Sequence, residues 1–348
     1  MKLIKFKFNL ILSLLLFSTM LVNAANAEYT KSIKKGWTKS SVTAMKITNK
    51  FGEVRINDLG GDSVTIKVLI TIDNKSSGKA KELMDKISVD FDKSGGLVSA
   101  ETEIEENFRD NESFSIDYLV NIPKDRELTI SNRFGNVIVN ELDAKGYFEV
   151  NYGSMTAGKM EAPMGNPIKI IVKYGKADLG TINEANMEFK YSKLTANEIG
   201  QLTLDTKHST VNLHKTKNLT LDSRYDGINV DEIGSLKSIS QYTNYKIDLL
   251  TGSFDLDTDY GSVRINNVDA KFENISITNS FGGINIGLND LNYKLKAECD
   301  YCEVSYPENR YKGNKIRDNH KFSLDGNVGT GGGKVSINSR YGGVKLTE

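Results

Sequence analysis

The residues best placed to do chemistry are Asp255, Asp257 and Asp259, alternate positions in FDLDTDYGSV that could reach a cation together. A helix-loop-helix calcium loop needs glycine sixth and glutamate twelfth, and Tyr260 and Asn266 stand there instead. Three carboxylates on the wet face of one strand is the simpler reading, with Asp205, Asp222 and Asp226 as partial echoes of an acidic row. GDSV at 61–64 resembles the start of a Gly-Asp-Ser hydrolase block, and RDNH at 317–320 could complete it. The usual Asp-x-x-His spacing is missing, however, because Asp318 and His320 are two apart. With three histidines and no Gly-x-Ser-x-Gly elbow, serine catalysis is not expected. GTGGGKV at 329–335 is no phosphate loop: its early glycine is misplaced, and Val335 follows Lys334 where Ser or Thr belongs. His208 and His214 lack the further ligands zinc requires. No catalytic residue, cofactor site or metal site is expected.

Cys299 and Cys302, in ECDYCEV, are the only cysteines and form a disulfide candidate. The spacing also matches a redox pair. Thiol-disulfide enzymes activate one sulfur at a helix N-terminus, whereas this pair flanks an aromatic residue in a strand-like stretch, so a local staple or inert thiols are expected.

The elements that carry these residues follow a repeat. Aligned on one aromatic position, the chain gives Phe51, Phe134, Tyr152, Tyr174, Tyr191, His208, Tyr225, Tyr242, Tyr260, Phe281, Tyr301 and Tyr341, with intervals of 17 to 22 residues from Phe134 to Tyr301. Such a period belongs to solenoids. Four residues before the aromatic stands an apolar residue, as in Ile130, Leu204, Leu221 and Leu256; three and five after it come pairs such as Val211 and Leu213 or Ile228 and Val230. Alternation with polar residues marks strands with one wet face. The buried positions are even before the aromatic and odd after it, so the inward face changes parity at the next residue, often glycine (Gly135, Gly153, Gly261), where a positive-φ corner is expected.

One such unit cannot enclose a core, but units stacked about 4.8 Å apart can. The expected fold is all-β: a single-stranded parallel β-helix, or β-solenoid, of about ten or more rungs over 128–348. Its competitor is an antiparallel β-sandwich. Parity with the buried slot four residues earlier places the aromatic rings inside. Turned outward, they would offer a platform for sugar rings.

Residues 28–127 are expected to form a β-rich N-terminal cap, with a long strand at 63–73, a short helix at 77–87 capped by Ser77, and a hairpin turning at Ser94-Gly95-Gly96. A long loop is expected between Tyr301 and Tyr341. Residues 1–27 read as a cleaved signal peptide: Lys2, Lys5 and Lys7, an apolar run, then Ala25-Asn26-Ala27. No other stretch suits a transmembrane segment. Removing the signal leaves 42 basic residues against 45 acidic ones, so nucleic acid is not an expected partner.

VNIPKDRELTISNRFGNVIV (120–139), an apolar-x-x-Pro-Lys lead-in with Asn-x-Phe-Gly between two strands, resembles the putative adhesin family of exported bacterial proteins, a domain of unknown function. ITNKFGEVRIN (47–57) matches the same pattern. The resemblance implies a β-solenoid that binds at the surface or envelope, and carries no catalytic residue. The expectation is an exported, non-enzymatic binding or structural protein of the bacterial cell envelope, in the periplasm, at the cell surface or outside the cell, whose unknown ligand is a glycan or a protein. The alternative is a carbohydrate-active lyase or hydrolase on a β-helix, for which the Asp255–Asp259 strand is the only hint.

Overall fold

The computed structural model describes residues 21–23, 28–58, 60–108 and 113–347. The expected signal at 1–27 lies outside the described residues, apart from 21–23. The chain winds into a β-solenoid of about 9 turns. Every turn puts one strand before its aromatic residue and one after it, and these two strands belong to opposite sheets, called here the leading and the trailing sheet.

Neighbouring turns pair in parallel. Leu194 lies beside Val211 and Leu204 beside Leu221; Val211 lies beside Ile228 in turn. In the middle of the molecule one continuous strand, such as Lys193–Lys207 or Thr210–Arg224, leaves one aromatic in the trailing sheet and bends into the leading sheet before the next. The apolar residues sit between the sheets, where Leu204, Leu221, Leu256, Val211 and Ile228 are at most 3% exposed. Each such side chain contributes roughly 1.5–3 kcal/mol on leaving water. Alternation selects the inward face, and the parallel register makes that face continuous from turn to turn.

At the head, the turn made by Ala44–Lys50 and Val54–Asn57 already stacks on the next one. The segment 28–127, expected as a cap, therefore supplies a solenoid turn as well. Beyond that turn the trailing sheet continues with Phe114–Asn121, Ser63–Asp73 and Glu28–Thr38. The leading sheet continues with the hairpin Leu97–Ile104 and Ile87–Ser94, which turns at Gly95 with φ 57°. The helix Ser77–Asp85 buries Ala80, Leu83 and Met84. Its cap is Ser76 rather than Ser77: the Ser76 hydroxyl accepts the Lys79 backbone N–H at 3.4 Å.

The tail departs from expectation. Instead of a long loop, Tyr311–Asp318 and Lys321–Val328 form an antiparallel hairpin on Tyr293–Asp300. Asn319 turns it with φ 44°, a conformation asparagine tolerates. The last turn is not outermost: Gly333–Arg340 inserts in parallel between Asn274–Ser280 and Tyr293–Asp300.

Candidate functional site

The corner after each leading strand is built by the aromatic itself. Phe134, Tyr152, Tyr174, Tyr191, His208, Tyr225, Tyr242 and Tyr260 all have φ between 51° and 63°, the left-handed region that costs an L-residue about 1–2 kcal/mol. That single residue turns the ring out of the inward series, so parity changes at the aromatic and not at the following glycine. Those glycines serve another purpose. A Cβ at Gly135 would lie 1.8 Å from the Gly52 carbonyl oxygen, and one at Gly153 1.8 Å from that of Gly135. They are needed for close approach between turns.

The rings consequently point outward, contrary to the expectation from parity; Tyr174, Tyr191 and Tyr225 are about half exposed. They stack on one another at 4.8–5.1 Å within 19° of parallel, from Phe51 through Phe134 and the middle turns to Phe281 and Tyr341. Tyr301 continues the column on Tyr341, and His320 ends it on Tyr301 at 4.3 Å. A sugar ring needs an open aromatic face, and these faces cover each other. Only ring edges meet water, so the column is a structural spine and not a sugar platform. Stacking at about 0.5–1.5 kcal/mol per pair offsets the left-handed backbone.

Behind the spine, middle turns replace glycine by Ser192, Ser209, Asp226 and Thr243, all buried. Asp226 accepts from the backbone N–H of Ser209 at 2.6 Å and of Arg224 at 2.9 Å, and from the hydroxyls of Thr206 and Ser223 at 2.7 Å each. It is thus an internal tie and not part of an outer acidic row. A sequence signal for this seam exists: two residues before the aromatic, where the inward parity demands an apolar side chain, stand Thr206, Ser223 and Ser240.

The outer face of the leading sheet carries a groove of about 400 Å³ across five turns. Parallel pairing makes its bed from two rows: Lys169, Asn186, Thr203, Thr220 and Lys237, and Ile171, Glu188, Asp205, Asp222 and Ile239. Each row ends in the same residue type it began with, so Ile171 and Ile239 close a bed of three carboxylates and three neutral polar groups. A cationic row, Lys173, Lys190, Lys207 and Arg224, runs between this bed and the spine. Lys190 lies 2.7 Å and Lys173 3.6 Å from Glu188. The hydrogen bond from Lys190 holds the Glu188 carboxyl below its ordinary range. Glu188 therefore stays ionised, the opposite of what a general acid requires.

The remaining sequence candidates are dispersed. Asp255 and Asp257 extend the two rows beyond Lys237 and Ile239. Ser63 is in the head and His320 in the tail hairpin, so the GDSV and RDNH stretches lie at opposite ends. His208 is a ring of the spine, and His214 pairs with Asp231 at 2.8 Å. The GTGGGKV stretch is the turn into the last inserted strand, with Gly329 and Gly331 at positive φ. Cys299 and Cys302 are joined in a disulfide around the Tyr301 corner. Among the described residues no group of three or more His, Cys, Asp or Glu side chains could hold a metal. No helix among them is long and apolar enough to cross a membrane.

The family model described as Toastrack DUF4097 matches residues 42–347. Among solved structures, the chain is similar to a putative adhesin from Parabacteroides merdae at 14% identity, covering 73% of this chain and 95% of that one with a TM-score of 0.34. A putative cell adhesion protein from Clostridium sporogenes is 10% identical over 91% of this chain and 99% of that one, with a TM-score of 0.21. A putative lipid binding protein from Parabacteroides distasonis is 13% identical over 73% and 96%, with a TM-score of 0.29. No curated protein matches.

Proposed function

The chain belongs to the Toastrack DUF4097 family, and from that premise we propose that it is an exported, non-enzymatic binding protein of the bacterial cell envelope whose docking surface is the groove on the leading sheet. The observation that carries this reading is the regular bed between Ile171 and Ile239, in which Glu188, Asp205 and Asp222 repeat at rung spacing beside Asn186, Thr203 and Thr220. A linear ligand can meet the same carboxylate and polar partner at every step of about 4.8 Å. Carboxylates accept from sugar hydroxyls and threonine hydroxyls both donate to and accept from them, while the isoleucines at the ends offer apolar contact to C–H faces. An extended glycan is the ligand class that fits. The ionised Glu188, tied to Lys190, suits binding rather than proton transfer.

The test is a glycan and envelope-protein array probed with the wild-type chain and with Asp205→Lys/Asp222→Lys, run beside cell fractionation. Glycan binding lost in the variant, with the protein recovered in the envelope fraction, supports the reading. Binding to proteins alone, release of sugar ends from a polysaccharide, or recovery in the cytoplasm would overturn it.

A further inference from the structure

The two ends of the solenoid carry unpaired strand edges of opposite charge, and we propose that copies of this chain join head to tail through them. At the head, Ile87–Ser94 closes the leading sheet and pairs only with Leu97–Ile104 among the described residues. At the tail, Tyr311–Asp318 closes the same sheet and pairs only with Lys321–Val328. Both strands are 8 residues long.

Their directions match. Leu97–Ile104 runs parallel to the turn beside it, so Ile87–Ser94 runs against the turns. Lys321–Val328 runs against Tyr293–Asp300, so Tyr311–Asp318 runs with the turns. A second copy displaced along the solenoid axis, without being turned over, brings the two edges together antiparallel, the more stable pairing.

Their overhangs fall on opposite sheets as well. At the head the trailing sheet reaches further than the leading sheet, through Glu28–Thr38 and the short Leu21–Asn23 that pairs with its first residues. At the tail the leading sheet reaches further, by the two strands of the hairpin beyond Tyr293–Asp300, while the trailing sheet stops at Val304–Ser305. Overhangs on opposite sheets interlock, whereas overhangs on one sheet would collide.

Charge selects the same partner. Asp90 and Asp92 are exposed on the head edge with Glu101 and Glu103 on the strand behind; the tail edge exposes Lys312, beside Lys315 and Arg317, which are already paired with Glu308 at 2.9 Å and Glu303 at 3.3 Å. Among the antiparallel registers that set Ile87, Val89 and Phe91 on the same face as Lys315 and Arg317, the joint uses the one in which Lys312 falls opposite Asp92. Lysines on an edge strand ordinarily discourage pairing. Here they reject another tail, the aspartates reject another head, and the cross pairing remains. Such a heterologous contact does not close on itself and builds an open filament.

Sedimentation velocity of the purified full chain across a concentration series reads this directly. The expected result is a mass that keeps rising past a dimer and falls with added salt. Lys312→Glu and Asp92→Lys should each weaken association roughly three- to tenfold, and the double variant, which restores opposite charges at the joint, should recover it. Unchanged thermal melting of each variant checks the fold. A wild-type chain that stays monomeric, stops at a dimer, or associates equally well with either single charge reversed would overturn the proposal. Both residues lie outside the groove, so glycan binding is unaffected by either result.

Discussion

Tyr341 stacks on Phe281 with ring centroids 4.9 Å apart, although residues 282–340 separate them, and Tyr301, the corner aromatic that follows Phe281 in the repeat, lies on its other face at 5.0 Å. The last segment is therefore a wedge between two turns that precede it. A chain ended after Gly332 loses the strand that pairs with both Asn274–Ser280 and Tyr293–Asp300. Hydrogen exchange should then show residues 293–300 unprotected while the turns at 193–241 keep their protection. Protection of 293–300 in the truncated chain would mean that the wedge is dispensable.

The spine holds a strained backbone by stacking, and a pair of substitutions separates the two effects. Tyr225 stacks on His208 at 4.9 Å and on Tyr242 at 4.8 Å, with φ 63°. Tyr225→Ala keeps the left-handed cost and loses both stacks, for an expected loss of about 1–3 kcal/mol. Tyr225→Gly loses the same stacks but relieves the backbone, so it should be more stable than the alanine variant by about 1 kcal/mol. Urea midpoints for the two variants check the order; an alanine variant at least as stable as the glycine variant would show that position 225 carries no left-handed cost.

The repeat was readable because the inward positions of every turn meet the same demand, so Leu204, Leu221 and Leu256 occur in step. The direction of the aromatic was not readable from parity, because one left-handed residue reverses the inside and outside of everything after it without changing the alternation. The tail escaped for a different reason: Gly333–Arg340 has the pattern of any turn, and nothing local to a strand says which neighbour it will meet. The groove is the plainest case. Glu188, Asp205 and Asp222 are unremarkable wet-face residues until the parallel register lines them up.

Asp226 is the internal acid on which four donors converge. Asp226→Ala leaves two backbone amides and two hydroxyls without their acceptor and is expected to cost about 3 kcal/mol or more. Asp226→Asn, which keeps one acceptor oxygen, should fall between alanine and wild type. Denaturant titration of the three proteins tests this, and an alanine variant of wild-type stability would remove the seam from any role in the fold.

Cys299 and Cys302 close a short loop, with a sequence separation of 3. Thiol titration of the unfolded, unreduced protein should find no free cysteine. Because loop-closure entropy is small for so short a ring, reduction should lower stability by at most about 2 kcal/mol and leave the fold intact. Two free thiols would show the pair unbonded.

Alkaline pH should loosen the protein through two buried phenols. Burial pushes Tyr245 up to about 12 from its ordinary 10.0 and does the same to Tyr118. In the unfolded chain both ionise near their ordinary value, so the unfolded state releases protons first as pH rises. The stability the neutral phenols contribute is fully present below pH 10 and is lost progressively as pH climbs toward about 12. Tyr245→Phe removes one ionising group together with its 2.8 Å hydrogen bond to Ser238. The variant should therefore begin less stable at neutral pH, yet its urea midpoint should fall less steeply than that of wild type above pH 10. Parallel curves for the two proteins would show that Tyr245 ionises as readily in the fold as out of it, which its place in the core forbids.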